Sequence, residues 1–180
     1  LSNGRIHRFR CADCPDNFTY MGPPPSEPDD THLIFGSRYC KGCKKARRFR
    51  SSDPKVYPPS WCPRRKRPAE YRVYSYMNAT VRYYRDLLRR NGTPMSPSGF
   101  EYAPRVKGTI DMEPAAFQKA LKAQSLSKII GITVHADDVI EIDDGLRPCF
   151  FHITDKKVEV LLRFNKEAAL KNLYEGPDVP

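Results

Sequence analysis

The chain has 180 residues, 39 % apolar side chains, 17 prolines and a formal net charge of +10. No apolar run is long enough to span a bilayer and no cation-flanked apolar segment opens the sequence, so composition predicts a soluble, cytoplasmic protein without a membrane partner. One domain or two small ones fit this length, and a thin core of this kind calls for a staple such as a metal.

The charge is unevenly spread. Residues 1–110 carry 22 Lys+Arg against 9 Asp+Glu, whereas residues 111–180 carry 9 against 12. A basic half steers polyanions toward itself, and the plain alternative is a solvated basic surface.

Residues 1–68 hold 10 of the 17 prolines. Proline fixes φ and removes a donor, so this stretch predicts loops and short strands rather than long helices. "GPPPSEPDD" at 22–30 reads as an exposed excursion. Four of the six cysteines form two Cys-x-x-Cys pairs, Cys11/Cys14 and Cys40/Cys43. Without a secretory signal that spacing favours zinc over disulfides. A structural zinc takes four thiolate or imidazole ligands, and two such knuckles close a site. Cys62, between prolines in "PPSWCPRRKRP", competes with Cys43 for the fourth position. His7 and His32 are further candidates, better read as surface or loop residues. Cys149, in "RPCFFHI", reads as a small core residue on a strand.

The string "RYCKGCKKARRFR" at 38–50 places metal-ligand spacing inside a run of cations. From Arg38 to Arg67 there are 12 Lys/Arg and one acid, Asp53. Lys44, Lys45, Arg47, Arg48, Arg50, Arg64, Arg65, Lys66 and Arg67 are therefore candidate phosphate contacts beside the metal, with interleaved aromatics to stack on unpaired bases.

From residue 69 the texture changes. "EYRVYSY" alternates and predicts a strand. Asn78 is placed to cap a helix over "ATVRYYRDLLRRNG", with Val81, Tyr84 and Leu88 on one stripe. Arg82, Arg85, Arg89 and Arg90 spread over its remaining surface, and the first three join the candidate nucleic-acid contacts. "FEYAPRVKG" (100–108) predicts a short edge strand. "MEPAAFQKALKAQ" (112–124) predicts a helix capped by Asp111, with Phe117, Ala120 and Leu121 inward. "VIEID", "PCFFHIT" and "KVEVLLRF" predict a three-strand meander, and "KEAALKNLY" a last helix capped by Asn165.

"HADDVIEIDDG" gathers His135, Asp137, Asp138, Glu141, Asp143 and Asp144, which could hold a divalent cation for phosphodiester hydrolysis. The plain reading is an acidic loop and the exposed face of a strand. No Ser/His/Asp pattern, phosphate-binding glycine loop or HExxH is present, and a zinc held by four thiolates has no open position for catalysis.

The motifs "CADCP … YCKGCKKARRFRSSDPKVYPPSWCPRRKRP" resemble a family of small zinc-knuckle proteins encoded by Gram-positive gut bacteria, their phages and mobile elements. The resemblance implies Cys11, Cys14, Cys40 and Cys62 as zinc ligands, with position 43 variable. The tail "ITVHADDVIEIDDGLRPCFFHITDKKVEVLLRF" is similar to the YodL-like segment of mobile-element proteins. Neither resemblance implies an activity.

The sequence thus predicts an α+β protein. A zinc-stapled, proline-rich basic module (1–68) precedes a small antiparallel sheet with two to three helices (69–180), itself a basic strand–helix part (69–110) and an acidic helix plus meander (111–180). The leading expected function is non-catalytic, zinc-dependent binding of DNA or RNA. A second is a counter-defence or regulatory protein that binds a host nucleoprotein complex, as anti-CRISPR inhibitors do. A third is a metal-dependent nuclease using the 135–144 acids.

Overall fold

The computed structural model describes residues 10–22, 33–54, 57–93, 95–124, 126–155 and 157–176. They form an α+β protein with eight strands in two antiparallel sheets and four α-helices. The chain divides after residue 66 into two compact units. The expected excursion at 22–30 falls, from residue 23 on, outside the described residues, as do His7 and His32. Among the described residues no helix is long and apolar enough to cross a membrane.

In the first unit three very short strands, β1 (Asn17–Thr19), β2 (Arg38–Cys40) and β3 (Arg47–Arg48), pair antiparallel in that order. Phe18 lies opposite Tyr39 and their rings stack 5.8 Å apart. The described side chains buried here are Cys11, Cys14, Tyr39, Cys40, Pro58 and Pro59. None is Leu, Ile, Val, Met or Phe. Burying apolar area is the main source of folding free energy, and this unit buries little of it.

The second unit is built on one sheet in the order β5-β4-β6-β7-β8. Its strands are β4 (Ala69–Tyr76), β5 (Tyr102–Ile110), β6 (Val139–Asp143), β7 (Cys149–Ile153) and β8 (Val158–Leu161). Its helices are α1 (Ala79–Arg90), α2 (Pro114–Lys122), α3 (Leu126–Ile130) and α4 (Lys166–Lys171). Strand alternation sorts the core into two layers. Tyr71, Val73, Ile140, Ile142 and Phe151 pack with Phe117, Ala120 and Leu121 of α2. Tyr74, Tyr76, Val139 and Phe150 pack with Tyr102, with Ala169 of α4 and with Val81 of α1. Helices therefore cover both sheet faces.

That double cover corrects two expectations. Glu141, expected on an exposed strand face, is 1 % exposed because α4 lies over it. On α1 the expected stripe turns: Tyr84 is 56 % exposed, and Arg85 is tucked against Glu101 instead. Asn78 does cap α1, its side chain accepting from Val81 N at 3.0 Å, and Asn165 caps α4 through Ala168 N. Helix α2 starts later than expected, with Glu113 rather than Asp111 at its N-cap and Pro114 in the first helical position, where its missing N–H costs nothing. The sheet unit holds four helices rather than two or three, since α3 had no clear periodic signal over five residues. Strand β5 is the expected edge strand, extended to nine residues.

Candidate metal centre and basic surface

The thiols come together through the hairpin. A 3-10 turn at Cys11–Asp13 brings Cys14 N to Cys11 O at 3.2 Å, and Asn17 N follows onto Cys14 O at 3.0 Å. The Asn17 side chain also donates to Cys11 O at 2.8 Å, closing the turn. Asn17 then pairs in register with Cys40, the last residue of β2. A second turn, with Cys62 N on Pro59 O at 3.0 Å and Arg65 N on Cys62 O at 3.1 Å, supplies Cys62. Cys11, Cys14, Cys40 and Cys62 line one small cavity with Asp16, Phe49, Pro59, Trp61, Pro63 and Arg64.

Cys43 is not among the residues that line it. It lies in the 41–46 tip of the β2–β3 hairpin, partly exposed, with its thiol against that of Cys40. None of the six cysteines forms a disulfide. Burial pushes the Cys11 thiol up; Arg38 opposes this, while Cys14, Cys62 and Cys40 add to it. Burial likewise raises Cys62, with Cys40 and Cys14 contributing and the backbone N–H of Arg64 opposing. Cys43 is raised by burial and by Cys40. Buried thiols that repel one another's charge ionise readily only when a cation joins them. Among the described residues no group of three or more His, Cys, Asp or Glu stands arranged to hold a metal ion. The four thiols around the cavity, with the Asp16 carboxylate there held by Arg64, are nevertheless the donor set a structural zinc takes.

The cations near this cavity divide by role. Arg64 makes a two-nitrogen contact with Asp16 Oδ2, at 2.7 and 3.0 Å, and Arg65 donates to Pro58 O at 3.2 Å. Arg38 sits over the Phe49 ring and Arg47 over the Trp61 ring, each at 4.5 Å. These four brace the scaffold. Lys44, Lys45, Arg48, Arg50 and Lys66 are exposed, and among the described residues none of their side chains pairs with a carboxylate, Asp53 meeting only the backbone N–H of Arg50. On the second unit, Arg67 pairs with Glu113 at 3.2 Å.

Of the helix arginines, Arg82 is half-exposed on α1, whereas Arg85 is held by Glu101 and Arg89 by Asp137 and Asp86. Arg85 and Arg89 line a pocket of about 300 Å³ with Tyr76, Tyr102, Asp137 and His152. The acids of 135–144 are dispersed among partners and do not converge. Asp138 accepts from Ser75 Oγ at 2.6 Å, from Arg105 at 3.0 Å and from His135 N at 2.8 Å. Glu141 accepts from Tyr74 Oη at 2.6 Å and from Lys166, and Asp143 caps a turn at Gly145 N. Asp144 accepts from Leu146 N at 3.3 Å, and His135 is exposed.

Sequence reasoning passed over Asp16 and His152. Nothing in the sequence links Asp16 to Arg64, 48 positions away. Asp53, a lone acid among cations, did carry a signal.

Fold and site define an α+β protein with a thiol-lined, basic N-terminal unit. Comparison with protein-family models, curated proteins and solved structures finds no match.

Proposed function

We propose that the chain is a non-catalytic, zinc-binding nucleic-acid-binding protein, acting in the host cytoplasm on behalf of a phage or mobile element. One observation carries the reading: among its described residues the basic unit buries thiols, proline and one tyrosine where a folded domain buries aliphatic side chains. A unit so composed needs a cross-link, and Cys11, Cys14, Cys40 and Cys62 would hold the zinc that supplies it. The metal would contribute structurally: held by these thiolates, it would tie the first turn, the end of β2 and the Pro59–Cys62 turn together.

The protein's own residues do the recognition. With Arg38, Arg47, Arg64 and Arg65 spent on rings, a carboxylate and a carbonyl, the contacts to phosphate fall to Lys44, Lys45, Arg48, Arg50 and Lys66. Ammonium and guanidinium groups on a braced hairpin displace condensed counterions from DNA or RNA, so affinity falls steeply with salt. The motif resemblance at the cysteines supports the mobile-element origin.

Binding of a DNA duplex, single-stranded DNA and RNA across a salt series tests the reading. The expected result is a log–log slope of several units, about 0.9 per phosphate neutralised on duplex DNA. Absence of binding to all three at low salt sinks it.

A further inference from the structure

The sheet of the second unit ends in β8, whose outer edge is bonded to no strand. Among the described residues no other segment makes a backbone hydrogen bond to Val158–Leu161 on that side. The opposite edge, β5, is blunted by Pro104, Arg105 and Lys107, the usual protection of an exposed strand. Strand β8 reads Val-Glu-Val-Leu and runs into Leu162, 54 % exposed. This edge is open, and apolar apart from Glu159, which pairs with Lys157 at 2.6 Å.

Beside it lies a cleft of about 750 Å³, floored by Phe150, Leu161 and Phe164, with Val160 turned to the opposite sheet face, and flanked by Arg147 and Arg163. No carboxylate lines it. Five arginines of this unit are neutralised: Arg67, Arg72, Arg85, Arg89 and Arg105 each meet an acid. Arg147 and Arg163 meet none among the described residues, although they belong to the acidic part of the chain.

We infer that the β8 edge and this cleft dock an extended polypeptide of alternating apolar and acidic residues, added as a sixth strand. Three features select that occupant. The open row of N–H and C=O groups fits a peptide backbone. The apolar floor takes every second side chain. The two arginines take its carboxylates, where a paired arginine could not. A nucleic acid fits less well, because the Phe164 ring already packs against Tyr74, Phe150 and Tyr102 at 5.2, 5.3 and 5.8 Å.

The test titrates a fluorescein-labelled octapeptide of alternating Val/Leu and Glu into the full chain, followed by anisotropy and by amide shifts of isotope-labelled protein. Binding is expected, with shifts clustered on 158–164 and 96–99. The double variant Arg147→Glu/Arg163→Glu should weaken it by about tenfold or more, the scale of one lost charge-assisted contact. Leu162→Lys should do likewise, while Arg147→Lys/Arg163→Lys retains binding. If the charge-reversed chain loses its far-UV circular dichroism, Arg147→Gln/Arg163→Gln replaces it. No binding, equal binding of a peptide with Lys for Glu, or shifts outside the cleft overturns the inference. So does displacement of the peptide by oligothymidylate, or concentration-dependent self-association abolished by Leu162→Lys.

Discussion

The indole of Trp61 donates a hydrogen bond to Asp53, Nε1 to Oδ1 at 3.0 Å, and the other oxygen of that carboxylate accepts from Arg50 N at 2.7 Å. Asp53 is the lone acid between Arg38 and Arg67, and Trp61 is the only tryptophan. The pair fixes the residue before Cys62 and so sets where that thiol stands. Arg47 lies over one ring and Phe49 packs at 5.1 Å from it. Removing the indole donor by Trp61→Phe should cost about 1 kcal/mol, the worth of one hydrogen bond, and Asp53→Ala about 1–3 kcal/mol through the unsatisfied partners left behind. Denaturant titration of the two variants measures this; a smaller loss for Asp53→Ala than for Trp61→Phe would contradict it.

Because Trp61 lines the thiol cavity and is the single tryptophan, its fluorescence reports on the basic unit alone. Chelation of the metal-loaded protein with EDTA is expected to shift its emission to the red. The far-UV signal of the five-stranded sheet should persist, since that sheet has its own apolar core. Emission indifferent to chelation would argue against a structural metal there.

Cys62→Ser and Cys43→Ser separate the two competing thiols. Zinc affinity is expected to fall in Cys62→Ser by more than the roughly 10–100-fold cost of losing an outer-shell partner, and to stay near its starting value in Cys43→Ser. Competition with a chromogenic chelator measures both. Equal losses would mean that the cavity as lined is not the binding site.

Exposed and braced cations should behave differently. Lys44→Ala/Lys45→Ala is expected to weaken binding to all nucleic acids alike and to lower the salt slope by about 2, with thermal stability unchanged. Arg85→Ala should leave the slope unchanged and destabilise the sheet unit, because Glu101 loses its partner. Filter binding and thermal melts of the same samples distinguish the roles.

Burial pushes the Asp137 carboxyl up, but the His152 imidazole, 3.7 Å away, and a hydrogen bond from Arg89 outweigh it and hold the group below its ordinary 3.8. A folded-state pKa below the unfolded one contributes stability that is complete above 3.8 and is lost as pH falls through the lower, folded value. Asp137 has φ 71°, a region that asparagine also tolerates, so Asp137→Asn removes the charge without straining the backbone. The variant should be less stable than the parent at pH 6, with the gap closing as pH drops below 3.8. Urea melts between these limits check it, and a constant gap would point to packing rather than charge.

Much of the sheet unit could be read directly. Alternation marked β4, β6, β7 and β8, and the Asn78 and Asn165 caps marked two helix starts, because these signals act within a few residues. Glu141 shows where such reading stops. Its strand was plain, but α4, which follows 23 residues after β6 ends, turns the acid into a buried partner of Tyr74 and Lys166. Periodicity says that faces alternate, not which faces will be covered.

The sequence by itself determined the ingredients: a thiol-rich, proline-rich, cationic first part and an alternating, apolar second part. Tertiary structure decided how they are spent. The β2–β3 hairpin sets Cys40 on the cavity and carries Cys43 to its tip, while the Pro59–Cys62 turn brings Cys62 to the same cavity. Folding likewise binds Arg64 to Asp16 and Arg85 to Glu101 while leaving Lys44, Lys45, Arg147 and Arg163 without an acid among the described residues. The physical reason is reach. Spacing along a chain fixes what neighbours can do, whereas a cation's partner is whichever carboxylate folding delivers within a few ångströms.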